Sequence, residues 1–264
     1  MTNIAPFAGP APTEVPLPRA PLATVIAQIR FPPILAIDKP EGVSVFQEAI
    51  RATYPVLQKE EIRQVDVGQL GDVKVSQGTL WKFADAKDEW RVALSNTFVA
   101  LETRAYSSRT DFIARLDAVV QAADTVFRPQ VAERFGIRYI NRVHGPALDQ
   151  LPALIRPEML GASSSALADL VHLSMTETHL NLPDTDGKML VRHGLLPPDM
   201  TYDPAVEPSK MKSWVLDIDT FQAARMSFDP TSLSDLAANL AEQSYRLFRW
   251  VVSDEFLHEH GAIS

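Results

Sequence analysis

Asp217 and Asp219, in the segment Leu216-Asp217-Ile218-Asp219, are the pair whose spacing most directly suggests chemistry. On a strand, residues i and i+2 point to one face, so the two carboxylates project together and suit a Mg²⁺ ion. A nucleotidyltransferase also needs a Gly-Ser phosphate turn shortly before such a pair. The nearest candidate, Gly161 to Ser165, lies about fifty residues upstream and precedes a different strand, which favours a structural role. The segment Gly136 to His144, GIRYINRVH, offers a second set, with Arg138 and Arg142 on one face of a strand. Arg30, Arg91, Arg104, Arg138, Arg142 and Arg192 together could grip phosphates, but Glu102, Asp217 and Asp219 offset them. The histidines do not assemble a metal site. His172 and His179 are seven residues apart and face opposite sides of an uninterrupted strand. His258-Glu259-His260 reads as an exposed polar run. No Gly-x-Ser-x-Gly, His-Glu-x-x-His, Walker A or Gly-x-Gly-x-x-Gly motif occurs, so no catalytic residue is assigned, no cofactor is expected and enzymatic activity is the least supported class.

Composition narrows the field further. The 264 residues allow one large domain or two small ones, and 46% hydrophobic residues can bury a sizeable core. A formal charge of −8 disfavours binding to a phosphate backbone unless basic residues cluster. The chain has no cysteine, which removes thiolate nucleophiles and Cys-ligated metals and fits a cytoplasmic location. The N-terminus, MTNIAPFAGP, lacks the features of a signal peptide, and no apolar run is long enough to predict a membrane span. Residues 1–21 carry prolines at 6, 10, 12, 16, 18 and 21 and are expected to form an extended arm, most simply a disordered tail.

The elements that must position these residues alternate in a regular way. Leu22 to Phe31 predicts a strand, closed by Pro32-Pro33. Val43 to Tyr54 has helical spacing and stops at Pro55. Four strands follow, over 63–69, 73–84 (broken near Gly78), 89–95 and 98–106, with turns such as Gly71-Asp72 between them. Ser107 to Phe127 predicts a helix with Ser108 or Thr110 as N-cap. The plan then repeats: a strand over 134–143, a proline-interrupted helix over 148–160, strands over 167–182, 188–195 and 213–226, and a helix over 232–252.

The repetition extends to residues. Ile29-Arg30-Phe31 matches Ile137-Arg138-Tyr139, Asp111-Phe112-x₃-Leu116 matches Asp235-Leu236-x₃-Leu240, and Phe127-Arg128 matches Phe248-Arg249. The second copy is longer, and the Pro/Asp-rich stretch Pro197–Pro208 accounts for most of the excess. The expected fold is therefore α+β, a tandem duplication of a β-α-β(3-4)-α unit over 22–130 and 131–264. Its curved antiparallel sheets would carry helices on one face, like the saddle of the TATA-binding-protein fold or two helix-grip domains.

Several segments also carry a family resemblance. They are Leu17-Pro18-x-x-Pro21-Leu22, Ile29-Arg30-Phe31-Pro32-Pro33, Trp90-Arg91-Val92, Leu101-Glu102-Thr103, Gly136-Ile137-Arg138-Tyr139-Ile140-Asn141-Arg142, Leu216-Asp217-Ile218-Asp219 and Phe256-Leu257 before Gly261. Together they resemble a sporadically distributed, uncharacterised family of bacterial and phage proteins, along nearly the whole chain. The resemblance implies company near mobile-element, defence or toxin–antitoxin genes, and it brings no catalytic residues.

Strand parity then predicts where binding would occur. The polar residues opposite the apolar rows are Arg30, Arg91, Glu102, Arg104, Arg138, Arg142, His172, Thr176, Arg192, Asp217 and Asp219. With helices on the apolar side, they form one open face. Arg30 and Arg138 project from it, each able to pair with Glu102, Asp217 or Asp219 at about 0–1 kcal/mol unless the pair is buried. Tyr139 and Asn141 fall on the core side with Phe135 and Ile137. The expected function is a non-enzymatic binding protein whose partner is another protein, engaged on this face or in a cleft between repeats. One alternative is a small ligand in a helix-grip cavity lined by Trp81, Phe83, Trp90 and Trp214. A second is nucleic acid on the saddle, which charge disfavours.

Overall fold

Strand alternation accounts for most of the first half of the molecule. The computed structural model describes residues 5–67, 73–183, 185–204 and 206–262. The expected turn at Gly71-Asp72, the end of the expected strand at Gln69 and the turn residue Asp184 lie outside them. The fold is α+β with antiparallel sheet, and the chain divides into two compact units. One holds residues 25–137 and 222–238, the other 1–24, 138–221 and 239–264. The N-terminal arm thus belongs with the second unit, and a short stretch after residue 221 belongs with the first.

In the first unit, β1 (Leu22–Arg30, from Val25 on), β2 (Val56–Val67), β3 (Val73–Ala84), β4 (Trp90–Ser95) and β5 (Phe98–Thr103) lie in the order β2-β3-β4-β5-β1. β2 begins earlier than the periodicity predicts, and β3 runs through Gly78, which pairs with Ile62. Two helices, α1 (Pro40–Ile50) and α2 (Arg109–Phe127), supply Val43, Phe46, Phe112, Leu116 and Val119 to the core. Ser108 caps α2 by accepting from Asp111 N at 3.1 Å. The helix ends at Arg128, in the left-handed region at φ 49°, ahead of Pro129. A small two-stranded sheet joins β6 (Val131–Ala132) to β11 (Met226–Ser227).

In the second unit, β7 (Arg134–His144, from Arg138 on), β8 (Ser174–Asn181), β9 (Gly187–Leu196) and β10 (Ser213–Gln222, up to Phe221) lie in the order β7-β10-β9-β8. The expected helix over 148–160 is reduced to α3 (Leu151–Leu154) between short 3₁₀ turns, each with a proline in its first positions. The expected strand from Leu167 starts only at Ser174. Before it, Ser164 and Ser165 donate to the carbonyls of Gly161 and Ala162, at 3.0 and 2.8 Å, and hold the backbone in turns. Gly194 has φ +152°, and a Cβ there would meet the Ser174 carbonyl at 1.8 Å, so the β8–β9 pairing requires glycine.

α4 (Pro230–Val251) and α5 (Asp254–Glu259) close the chain. Of the run expected to be exposed and polar, His258 and Glu259 are exposed, whereas His260 is half-buried and stacks on the buried Phe256 with ring centroids 4.1 Å apart. The arm is also corrected. Its described residues are tied to α4 and α5 through Val15 N to Tyr245 Oη (2.8 Å), Arg246 Nη1 to Gly9 O (3.0 Å) and Arg19 Nη2 to Glu259 O (2.8 Å). Phe7 and Leu17 pack on the core of the same unit. No helix among the described residues is long and apolar enough to cross a membrane.

Candidate functional site

The first unit keeps its polar sheet row partly exposed, with Ala100 buried at its middle. Val25, Ala27 and Ile29 are buried, and between them Ile26 and Gln28 are half-buried and Arg30 is exposed. Register extends this outer row across the sheet. Ile26 faces Glu102, Gln28 faces Ala100 and Arg30 faces Phe98. Beyond β5, Arg91 faces Glu102 and Ala93 faces Ala100, and Lys82 lies opposite Ala93. The row therefore has small residues at its middle, with Arg30, Arg91, Glu102 and Lys82 around them. Arg91 is held by Asp88 through Nε–Oδ1 at 2.8 Å and Nη2–Oδ2 at 2.5 Å. Arg104 is exposed just past β5, its N–H donating to Glu89 O at 3.0 Å.

The second unit does the opposite, which corrects the expectation of one open face. Leu216 and Ile218 join the helix-side core, as parity predicts. On the other face, however, Ile140, Leu196 and Val215 are buried with Val206, and Tyr202 packs on them. The covering strap is 197–212, which contains the Pro/Asp-rich insertion. Its neck is closed by Asp199 N donating to Ser209 O at 2.7 Å, and Thr201 Oγ donates to Val206 O at 2.7 Å. Short compact loops of this kind hold themselves together with their own side chains and backbone.

Beneath the strap lies a charged cluster. Arg138 donates from Nε and Nη2 to the two oxygens of Asp217, at 2.8 and 2.7 Å, and from Nη2 to Asp203 Oδ2 at 2.9 Å. Tyr202 donates its hydroxyl to Asp217 at 3.0 Å. Arg192 donates from Nε to Glu177 at 2.7 Å and lies 3.6 Å from Asp203, and Glu177 meets His179 at 2.8 Å. The Asp217 side chain is 1% exposed and that of Arg138 13%, so this is a buried pair rather than a solvated one. Burial opposes the Arg138 charge, but hydrogen bonds and attraction from Asp217, then Asp203, outweigh it and raise its pKa. Burial, then the Asp217 charge, raise the pKa of Tyr202. With Arg138 holding both of its oxygens, Asp217 acts as an ion-pair partner.

Other expected residues fall elsewhere. Thr176 pairs with His193, and Met175 and Glu177 face the strap, so Thr176 lies on the sheet side opposite Asp217. His172 sits on an exposed bend before β8 rather than in a strand. Asp219 is half-buried near the edge of the covered row. Asn141 is buried and donates to Leu216 O at 3.4 Å, whereas Tyr139 is only half-buried. Tyr202, Asp203 and Glu177 were not among the expected residues. Glu177 was recoverable from its position across from Arg192; the strap residues had no periodic signal. Of the four aromatics proposed to line a cavity, Trp81, Phe83, Trp90 and Trp214 are each at most 4% exposed, and Trp81 Nε1 donates to Ile37 O at 2.8 Å. No protein-family model matches the chain, and neither does any curated protein.

Proposed function

We propose that the protein is a non-enzymatic binding protein that engages another protein through the open sheet row of its first unit. The observation that carries this reading is the contrast in cover: along the first unit's row Arg30 is exposed and Gln28, Arg91, Ala93 and Glu102 are half-buried around a buried Ala100, whereas the second unit's row lies under a strap. Mixed charges around a small-residue centre favour a protein surface over nucleic acid, because Arg138, Arg142 and Arg192 lie under or beside the strap rather than on an exposed basic path. We also read the two units as copies of one β-α-β(3-4)-α plan. In each, the first strand lies beside the last, and the strands between run in sequence away from it, which supports a duplicated TATA-binding-protein-like or helix-grip scaffold. Affinity capture from the native host tests the binding function. The wild-type chain should retain a stoichiometric protein partner, and Ala93→Arg should lose it while unfolding at the wild-type denaturant concentration. Capture of a metabolite without protein, or undiminished capture by Ala93→Arg, defeats the reading.

A further inference from the structure

Arg138 and Arg142 lie four residues apart on β7, on one face of the strand, yet only Arg138 is matched by carboxylates. Arg142 is 9% exposed. It donates Nη1 to the Glu207 carbonyl at 2.8 Å. Its Nε and Nη2, the same edge that Arg138 turns to Asp217, are buried with no hydrogen-bond partner. Two other buried polar atoms without a partner, His144 Nδ1 and Ser213 Oγ, belong to the same neighbourhood. His144 is two residues further along the same face, and the Arg142 charge helps to depress its pKa. Ser213 precedes Asp217 by four residues, as Arg142 follows Arg138 by four. On neighbouring antiparallel strands, steps of four from Arg138 and back from Asp217 run toward the same end, so Arg142 and Ser213 share one face and one end of the β7–β10 pair.

A guanidinium buried without a counter-charge is costly, and a bound anion offsets that cost. Burial lowers the Arg142 pKa, with only the Tyr202 charge acting against it. The Nε/Nη2 fork matches two oxygens of a carboxylate or phosphoryl group. Ser213 can donate to the same group. His144 already bonds to the Lys212 backbone and has its other ring nitrogen left for the ligand. Glu207 and Lys212 belong to the strap, so entry requires that end of the strap to move.

We propose that Arg142, Ser213 and His144 form a binding site for the terminal oxyanion, carboxylate or phosphoryl, of a small ligand. This site is independent of the open row in the first unit. The full-length protein would be titrated with inorganic phosphate and, separately, acetate at constant ionic strength, following the Arg142 Nε–H resonance and the His144 titration by NMR. One or both anions should shift Arg142 saturably and raise the His144 pKa. Saturation by phosphate alone points to a phosphoryl group, and by acetate alone to a carboxylate. Arg142→Gln should weaken binding about tenfold or more. Should that variant fail to fold, Ser213→Ala should still weaken binding with the fold intact. The proposal is overturned if neither anion perturbs Arg142 up to its solubility limit, which would mark a structural arginine satisfied by water. It is equally overturned if Arg142→Gln binds as the wild type does.

Discussion

The two sheet rows start from the same alternation and end in opposite environments. Around Arg30, the residues opposite the core are half-buried or exposed apart from Ala100, and Arg91 pairs locally with Asp88 three residues away. Around Arg138, the same parity leads under a strap, and the arginine pairs across 79 residues with an aspartate that is almost wholly buried. The difference teaches that alternation fixes the side of a sheet, not its exposure. Cover is decided by a segment that has no period, here 197–212, whose Val206 and Tyr202 add apolar contact to Ile140 and Val215. Burial also changes what an ion pair does. An exposed pair contributes little, whereas breaking a buried one leaves a charge without solvent or partner.

The largest test of this contrast is Asp217→Ala. It should cost about 3–5 kcal/mol, because it leaves the buried Arg138 with Asp203 alone and the Tyr202 hydroxyl without its acceptor, and is read from urea unfolding. A loss below about 1 kcal/mol would mean that the strap is open in solution and the pair solvated. Replacing both partners, Arg138→Met with Asp217→Leu, should recover much of the loss, because two apolar side chains leave no charge buried. Tyr202→Phe should follow, at about 1–2 kcal/mol, since it removes the hydroxyl that donates to Asp217 and leaves the ring in place. A neutral result there would show that the strap is held by Val206 and its own backbone bonds alone.

Proton linkage offers a smaller effect. Burial lowers the His193 pKa below its ordinary 6.5, partly offset by a hydrogen bond with the Met159 backbone. The folded state therefore binds fewer protons than the unfolded state between the depressed value and 6.5. Stability should be full above pH 6.5 and fall as pH drops through that window, levelling below the folded pKa. His144 contributes in the same direction, through burial and then the Arg142 charge. Chemical denaturation at a series of pH values should show this slope, and His193→Gln should flatten it. A slope unchanged in that variant would place the linkage on other groups.

The sequence carried strand order and facing well where one side of a strand is uniformly apolar. Val25, Ala27 and Ile29 place Arg30, and Leu216 and Ile218 place Asp217, without any structure. It was weaker where alternation is ambiguous. β8 reads Met-Thr-Glu-Thr-His-Leu, polar on both sides, so alternation does not decide between Thr176 and Glu177, and the register with β9 puts Glu177 on the strap side. The prolines near 152 and 157 announced an interruption, though not that so little helix would survive. The arm illustrates a different limit. Proline-rich composition excludes ladder and helix but does not exclude docking, and Tyr245 and Arg246 anchor it through backbone groups that no residue pattern encodes.

The smallest stability effect should come from Arg30→Glu, and its value lies in separating fold from function. Arg30 is exposed at the end of β1, opposite Phe98, and its backbone carbonyl accepts from Glu133 N at 2.7 Å whatever the side chain. Reversing the charge therefore leaves the ladder intact and should change stability by no more than about 0.5 kcal/mol, the usual range for a surface substitution. The row it sits on would change more. Arg91 and Lys82 would then share the outer surface with two glutamates, residues 30 and 102, and a partner chosen for the original charges should be captured more slowly and with an altered salt dependence. Binding kinetics at two salt concentrations, set beside the unfolding curve, separate these effects. If stability falls by several kcal/mol, Arg30 is as embedded as Arg138 and the contrast between the two rows fails. If stability holds and capture is unchanged, the partner surface lies off this row.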